Sequence, residues 1–291
     1  MNHNPIGIFD SGIGGLTVLR EIAALLPAES TIYLGDTARV PYGSKSRETV
    51  LRYSREVAAF LTGHGVKMLV AACNTASAYA VEQLGKELPI PVIGVIEPGA
   101  KAALAATGNH RIGVIGTQGT IMSNSYVDAM KALRGAQGGE VIERGERRFD
   151  RYFEVRVDGM TIFTKACPLF VPLAEEGWTA NDVARLTVEH YMQGLGSEGI
   201  DTLVLGCTHY PLLKETISSV MGGGVSLIDS AETTAVEVSK VLEANGLLNP
   251  SAEGASSHRF FVTDSPERFL MVGRRFFGQG LGEPVLTQLT D

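Results

Sequence analysis

Two cysteines, Cys73 and Cys207, stand at matching points of an internal repeat. Gly65-Val66-Lys67-Met68-Leu69-Val70-Ala71-Ala72-Cys73 reads without gaps onto Gly199-Ile200-Asp201-Thr202-Leu203-Val204-Leu205-Gly206-Cys207. A lone cysteine at a strand end is commonly a small buried hydrophobe. A matched pair differs, because each is followed by polar residues and an expected helix start, and a helix N-terminus lowers a thiol pKa from about 8.5 and favours the thiolate. One thiolate and one thiol can invert a carbon that bears hydrogen. One takes a proton from one face, the other delivers a proton to the opposite face, and the roles exchange in reverse. Sulfurs placed on two sides of a substrate would be too far apart for a disulfide. A weakly acidic carbon would also need hydrogen-bond donors and exclusion of water to stabilise the developing carbanion.

Other thiol chemistry fits less well. Cys207 and His209 lie outside the usual zinc-ligand spacings, and no C-x-x-C or H-x₃-H accompanies them. The third cysteine, Cys167, precedes Pro168 outside the repeat and reads as structural. A cysteine hydrolase would place a base beside one thiol and leave the other unexplained.

Small polar residues close several apolar runs: Asp10-Ser11, Gly35-Asp36, Cys73-Asn74-Thr75, Gly116-Thr117 with Thr120, and Cys207-Thr208-His209. At the carboxyl ends of parallel strands these would face a ligand, with free amides and helix dipoles attracting an anion. Gly12-Ile13-Gly14-Gly15 matches neither a dinucleotide fingerprint, since Thr17 occupies the third glycine position, nor a Walker loop. A tight turn approaching a small ligand explains it better.

The elements that must position these residues follow from the patterning. Continuous apolar runs at Ile6–Phe9, Thr31–Leu34, Met68–Ala71, Val92–Val95, Arg111–Ile115, Thr202–Leu205, Ser226–Ile228 and Phe260–Thr263 suit strands covered on both faces. Helical stretches at 16–24, 46–61, 77–86 and 180–192 alternate with them, the last expected to be capped by Thr179 with Val183, Leu186, Thr187 and His190 at helical spacing. Pro266 should open a final helix burying Phe269, Val272 and Phe276. The repeat extends upstream, since Ile6-Gly7-Ile8-Phe9-Asp10-Ser11 resembles Ile112-Gly113-Val114-Ile115-Gly116-Thr117. The expected fold is α/β: two similar, doubly wound domains with mostly parallel sheets and a cleft between them holding the active site.

Bulk properties set the boundaries. With 291 residues, two domains are the natural expectation. A net charge of −7 argues against a nucleic-acid binder, and the basic cluster Arg144 to Arg151 is interrupted by Glu146 and Asp150. No apolar segment is long enough for a membrane span, and the polar Met1–Pro5 runs directly into a strand without a secretory signal. A cytoplasmic protein with reduced thiols is expected.

Phe9-Asp10-Ser11-Gly12-Ile13-Gly14-Gly15-Leu16-Thr17-Val18, Pro41-Tyr42-Gly43, Ala72-Cys73-Asn74-Thr75-Ala76, Ala166-Cys167-Pro168-Leu169-Phe170-Val171-Pro172-Leu173 and Gly206-Cys207-Thr208-His209-Tyr210-Pro211 together resemble the glutamate racemase family, within the aspartate/glutamate racemase superfamily. The resemblance implies Cys73 and Cys207 as paired acid and base, with no pyridoxal phosphate or metal. It implies that Ser11, Pro41, Tyr42, Gly43, Asn74, Thr75, Thr120 and Thr208 hold L- or D-glutamate, and that Asp10 and His209 assist the cysteines or orient the substrate. Glu175 matches a position beside the second cysteine, with Glu176 adjacent.

Plainer readings stand beside these: Asp10 as a helix cap, His209 as a structural histidine, Glu175 on a solvated face and Tyr42 as a packed turn residue. The family's organisation implies one domain of residues 1–97 plus 208–291 and another of 98–207. Its role is to supply D-glutamate for peptidoglycan. Homodimers are common, some members inhibit DNA gyrase, and others carry an N-terminal extension that responds to a cell-wall precursor, for which the five residues before the first strand leave little room. The rival readings are a racemase for another amino acid such as aspartate and a non-catalytic binder of small carboxylates.

Overall fold

The computed structural model describes residues 3–144, 151–250 and 256–289. The interior of the Arg144–Arg151 cluster lies outside the described residues. Among the described residues twelve strands follow in chain order: β1 (Ile6–Asp10), β2 (Thr31–Gly35), β3 (Met68–Ala71), β4 (Val92–Gly94), β5 (Arg111–Gly116), β6 (Glu140–Arg144), β7 (Tyr152–Val157), β8 (Met160–Ala166), β9 (Thr202–Gly206), β10 (Ser226–Asp229), β11 (His258–Val262) and β12 (Pro284–Leu286).

The first unit comprises residues 1–95 and 231–291. Its sheet runs β12-β11-β2-β1-β3-β4 and is parallel throughout. Every residue of β1, β2 and β3 is buried, as continuous apolar runs demand when helices cover both faces. Ser46 caps the helix Arg47–Gly63 by accepting the Thr49 amide. Phe269, Val272 and Phe276 are buried as expected, on the helix Pro266–Phe277.

The second unit spans residues 96–230. Its sheet runs β10-β9-β5-β8-β7-β6, with the first four strands parallel and β7 and β6 antiparallel. The chain returns to the first unit after Ser230, later than the expected residue 208. The reason is pairing: β10 lies beside β9, and Ile217 and Val220 of the helix Lys214–Met221 belong to the second unit's core.

The internal repeat survives as register. Ile6 pairs with Met68 through to Phe9 with Ala71, and Ile112 pairs with Thr202 through to Ile115 with Leu205. The residues that the repeat aligns therefore occupy the same places in both sheets.

Strands β6, β7, β8 and β12 have no apolar run to announce them. On β7 and β8, Glu154 and Lys165 interrupt the pattern yet are buried, Glu154 between Arg144 and Arg156. The helix Asp182–Met192 is capped by Asn181, which accepts the Ala184 amide at 2.9 Å, rather than by Thr179. Its buried face is Ala184, Val188, Tyr191 and Met192, while Val183, Leu186 and His190 face solvent.

Candidate active site

In the first unit, β1 and β3 are neighbours, so their carboxyl ends bring Asp10-Ser11 beside Ala72-Cys73. The Ala72 amide donates to the Phe9 carbonyl at 2.8 Å, continuing the register to the thiol. Cys73 is the N-cap of the helix Asn74–Glu87, which starts earlier than the expected Ser77. Asn74 and Thr75 thereby fall in its first turn, where amides lack intrahelical partners and the dipole favours negative charge. The Cys73 thiol lies 3.7 Å from Ser11 Oγ, to which it can donate.

The loop after β1 is fixed by close contacts. Asp10 Oδ2 accepts the Gly12 amide at 2.8 Å, so this carboxylate closes a turn rather than capping a helix. Tyr33 donates its phenol to the Gly12 carbonyl at 3.0 Å. Burial, then the nearby Asp10 and Cys73, push the Tyr33 pKa up, so it remains a donor. Gly15 is required where the loop crosses the sheet, since a Cβ there would lie 2.6 Å from Asp10 Cβ and 2.9 Å from Ala72 Cβ.

Pro41, Tyr42 and Gly43 form the next part of this rim. Pro41, joined to Val40 by a cis peptide, precedes a single 3₁₀ turn, Tyr42–Ser44. The Tyr42 side chain is wholly buried and donates its hydroxyl to Asp36 Oδ2. Burial and the Asp36 charge raise its pKa, keeping the phenol protonated. The Tyr42 side chain is thus packed inward, and what Tyr42 and Gly43 can present outward is backbone.

In the second unit, β5 and β9 are neighbours and place Gly116-Thr117 beside Gly206-Cys207. Cys207 does not begin an α-helix. Thr208 and His209 form a turn into the 3₁₀ segment Tyr210–Leu213, correcting the expected helix start. Support comes instead from side chains. His209 Nδ1 lies 3.8 Å from Cys207 Sγ and 3.4 Å from Thr208 Oγ1, and its Nε2 lies 3.1 Å from Glu175 Oε1. With the ring proton on Nε2 and directed to the carboxylate, Nδ1 can accept from the thiol. Glu176 is exposed, so between the two glutamates it is Glu175 that meets the histidine.

Thr117 caps the short helix Gln118–Met122, and its hydroxyl lies 3.0 Å from that of Thr120. Thr120 is buried and packs over Gly116, the residue opposite Gly206 in the ladder. Cys167 is fully buried, and burial pushes its pKa above the ordinary thiol range against the opposing effect of Lys165. Its carbonyl accepts the Tyr210 hydroxyl at 2.8 Å, consistent with a structural role. Among the described residues, no group of three or more His, Cys, Asp or Glu could hold a metal ion, and no helix is long and apolar enough to cross a membrane.

Each unit thus presents a buried thiol with hydroxyls and amides at the carboxyl ends of its central strands. Tyr33, Tyr126 and Arg39 also adjoin these strand ends or their loops without a sequence motif of their own. Tyr126 packs beneath Gly206, with its pKa raised by burial and then by Cys207 and Asp229. Tyr33 falls within the expected strand Thr31–Leu34, but nothing in the sequence marks any of the three for the site except the neighbouring strand-end motifs.

Similarity to known proteins follows the same outline. The model of the Asp/Glu/Hydantoin racemase family matches residues 6–238. A protein named glutamate racemase from Geobacter metallireducens is 55% identical over 283 residues, covering 97% of this chain and 96% of that one. Among solved structures, a glutamate racemase from Bacillus anthracis is 39% identical with a TM-score of 0.87, covering 99% of both chains. One from Francisella tularensis, solved with D-glutamate, is 34% identical with a TM-score of 0.85 over 99% of both. An aspartate racemase from Picrophilus torridus, 18% identical with a TM-score of 0.52, covers 84% of this chain and 94% of that one, and shares the fold alone. The chain belongs to the Asp/Glu/hydantoin racemase family.

Proposed function

We propose that this chain interconverts L- and D-glutamate without a cofactor, using Cys73 and Cys207 as its two proton-transfer groups. The observation that carries the reading is the repeat: a buried thiol ends the same strand of each sheet, in the same register. The names of the high-identity relatives favour glutamate over aspartate, whose racemase shares only the fold.

In the forward step one cysteine thiolate takes the α-proton. The S–H bond forms, the C–H bond breaks, and the electron pair is held by the α-carbon and its carboxylate. The other thiol gives its proton to the opposite face and becomes the thiolate. No net atom or electron is gained, and the reverse reaction exchanges the roles. Ser11, Asn74, Thr75, Thr120, Thr208 and the backbone of the Tyr42–Gly43 turn would bind the carboxylates and ammonium. Asp10 would serve the Cys73 side, and His209 with Glu175 the Cys207 side. The product would serve peptidoglycan synthesis, with the enzyme acting as a homodimer in the cytoplasm.

Circular dichroism of each glutamate enantiomer, with aspartate as the control, tests the substrate. Cys73→Ser and Cys207→Ser should each lower kcat at least about a thousandfold. In D₂O, deuterium should enter mainly the product enantiomer at early times. Retention of racemase activity by both single mutants would falsify the two-base reading.

A further inference from the structure

The rim loop between β2 and the helix Arg47–Gly63 carries the Pro41–Tyr42–Gly43 turn, yet between residues 37 and 45 only Tyr42 is buried. Its start is tied to residues 263 and 264 through Thr37 and Ala38, and the Tyr42 turn is held by a second set of anchors. Asp36, wholly buried at the end of β2, gathers three of them. Its Oδ2 accepts both the Tyr42 hydroxyl and Arg39 Nε, the latter at 2.7 Å, and its Oδ1 accepts Thr263 Oγ1 at 2.9 Å. Arg39 reaches further, pairing with Glu56 on the helix Arg47–Gly63 and lying 4.0 Å above the Tyr53 ring. Tyr53 in turn packs against Tyr42, with ring centroids 5.7 Å apart.

A carboxylate removed from water requires a cation or several donors to stay in place. Arg39 is the cation, and it spans the two walls between which Tyr42 is held. We propose that Arg39 is a positioning residue: through Asp36, Glu56 and Tyr53 it fixes the Tyr42–Gly43 backbone for substrate while never touching substrate itself. This rests on the reading that the turn binds glutamate. Without Arg39, Asp36 keeps Tyr42 and Thr263 but loses its charge balance, and the turn is free to shift. Loss of binding geometry should then outweigh loss of chemistry, because both thiols and their supports remain.

The test is steady-state racemisation by Arg39→Gln, Arg39→Lys and Tyr42→Phe, with thermal unfolding of each. Arg39→Gln should raise KM for glutamate about tenfold while kcat stays within about threefold, the pattern of lost positioning. Arg39→Lys, which keeps the charge, should recover most of the difference. Tyr42→Phe removes one hydroxyl and should move KM in the same direction by less. Unchanged KM in Arg39→Gln, or a fall confined to kcat, overturns the proposal. If Arg39→Gln does not fold, an unchanged KM in Tyr42→Phe overturns it instead. Failure of the wild type to racemise glutamate would defeat the substrate reading itself, and the role of Arg39 with it, whereas an active wild type with an indifferent Arg39→Gln defeats only the latter.

Discussion

Cys73 and Cys207 end equivalent strands, but different chemistry holds each. Cys73 stands at the N-cap of a helix of 14 residues, at the positive end of its dipole. Cys207 has only a turn after it, and an imidazole braced by a carboxylate stands in the helix's place. A helix terminus is a fixed partial charge that no pH change removes. An imidazole is titratable and can take up or release the thiol's proton. Two thiols proposed for the same task can therefore be supported by devices that respond differently to mutation.

Short of losing either cysteine itself, the largest effect should come from removing the device that one side lacks. His209→Asn should lower kcat/KM about a hundredfold. Because the enantiomers are equal in energy, that fall must be the same in both directions. The inequality should show in the α-deuterium isotope effect, rising for one enantiomer only; equal rises would erase the distinction between the two sides.

Backbone packing offers a second contrast. Gly206 sits where the repeat places Ala72. A Cβ at Gly206 would lie 2.7 Å from the Ile115 carbonyl oxygen and 3.1 Å from Tyr126. Gly206→Ala should cost about 2 kcal/mol in urea unfolding, whereas Ala72→Gly should cost under about 1 kcal/mol. Similar costs at both positions would mean that the second sheet is no tighter than the first.

A smaller change falls on the brace. Glu175→Gln should reduce kcat/KM about tenfold and the exposed Glu176→Gln under about twofold. If Glu176 proves the sensitive one, the contact at 3.1 Å is not the functional one.

The smallest effect lies away from both thiols. His258, on β11 and hydrogen-bonded to Thr31, has its pKa lowered from 6.5 by burial. The unfolded chain then binds this proton more readily than the folded one, so stability is retained above pH 6.5 and declines below it. His258→Asn should flatten that acid limb in unfolding curves at pH 5 to 7; an unaltered slope would assign the decline to other groups.

What could be read from the sequence was what repeats or runs. The eight apolar strands and the strand-end placement of both thiols were legible because buried parallel strands need unbroken apolar residues and the repeat aligned the cysteines. Strands β7 and β8 were not, since Glu154 is paired by Arg144 across the sheet as well as by Arg156 on its own strand, and Lys165 reaches the Gln193 carbonyl 28 residues away. The same limit hid Arg39, whose role depends on Glu56 and Tyr53 one helix away. The end of the second unit was misplaced because the pairing of β10 with β9 leaves no mark in either segment alone.

The common register of the two sheets has one more consequence. A symmetric homodimer repeats every side chain, so an imidazole added beside one thiol would be added beside both. Here the two copies share one chain, and Thr75 stands where the other copy has His209. Each copy can be altered alone. Covalent linkage thus allows two equivalent strand ends to become a chemically unlike pair while the surrounding ladder stays the same.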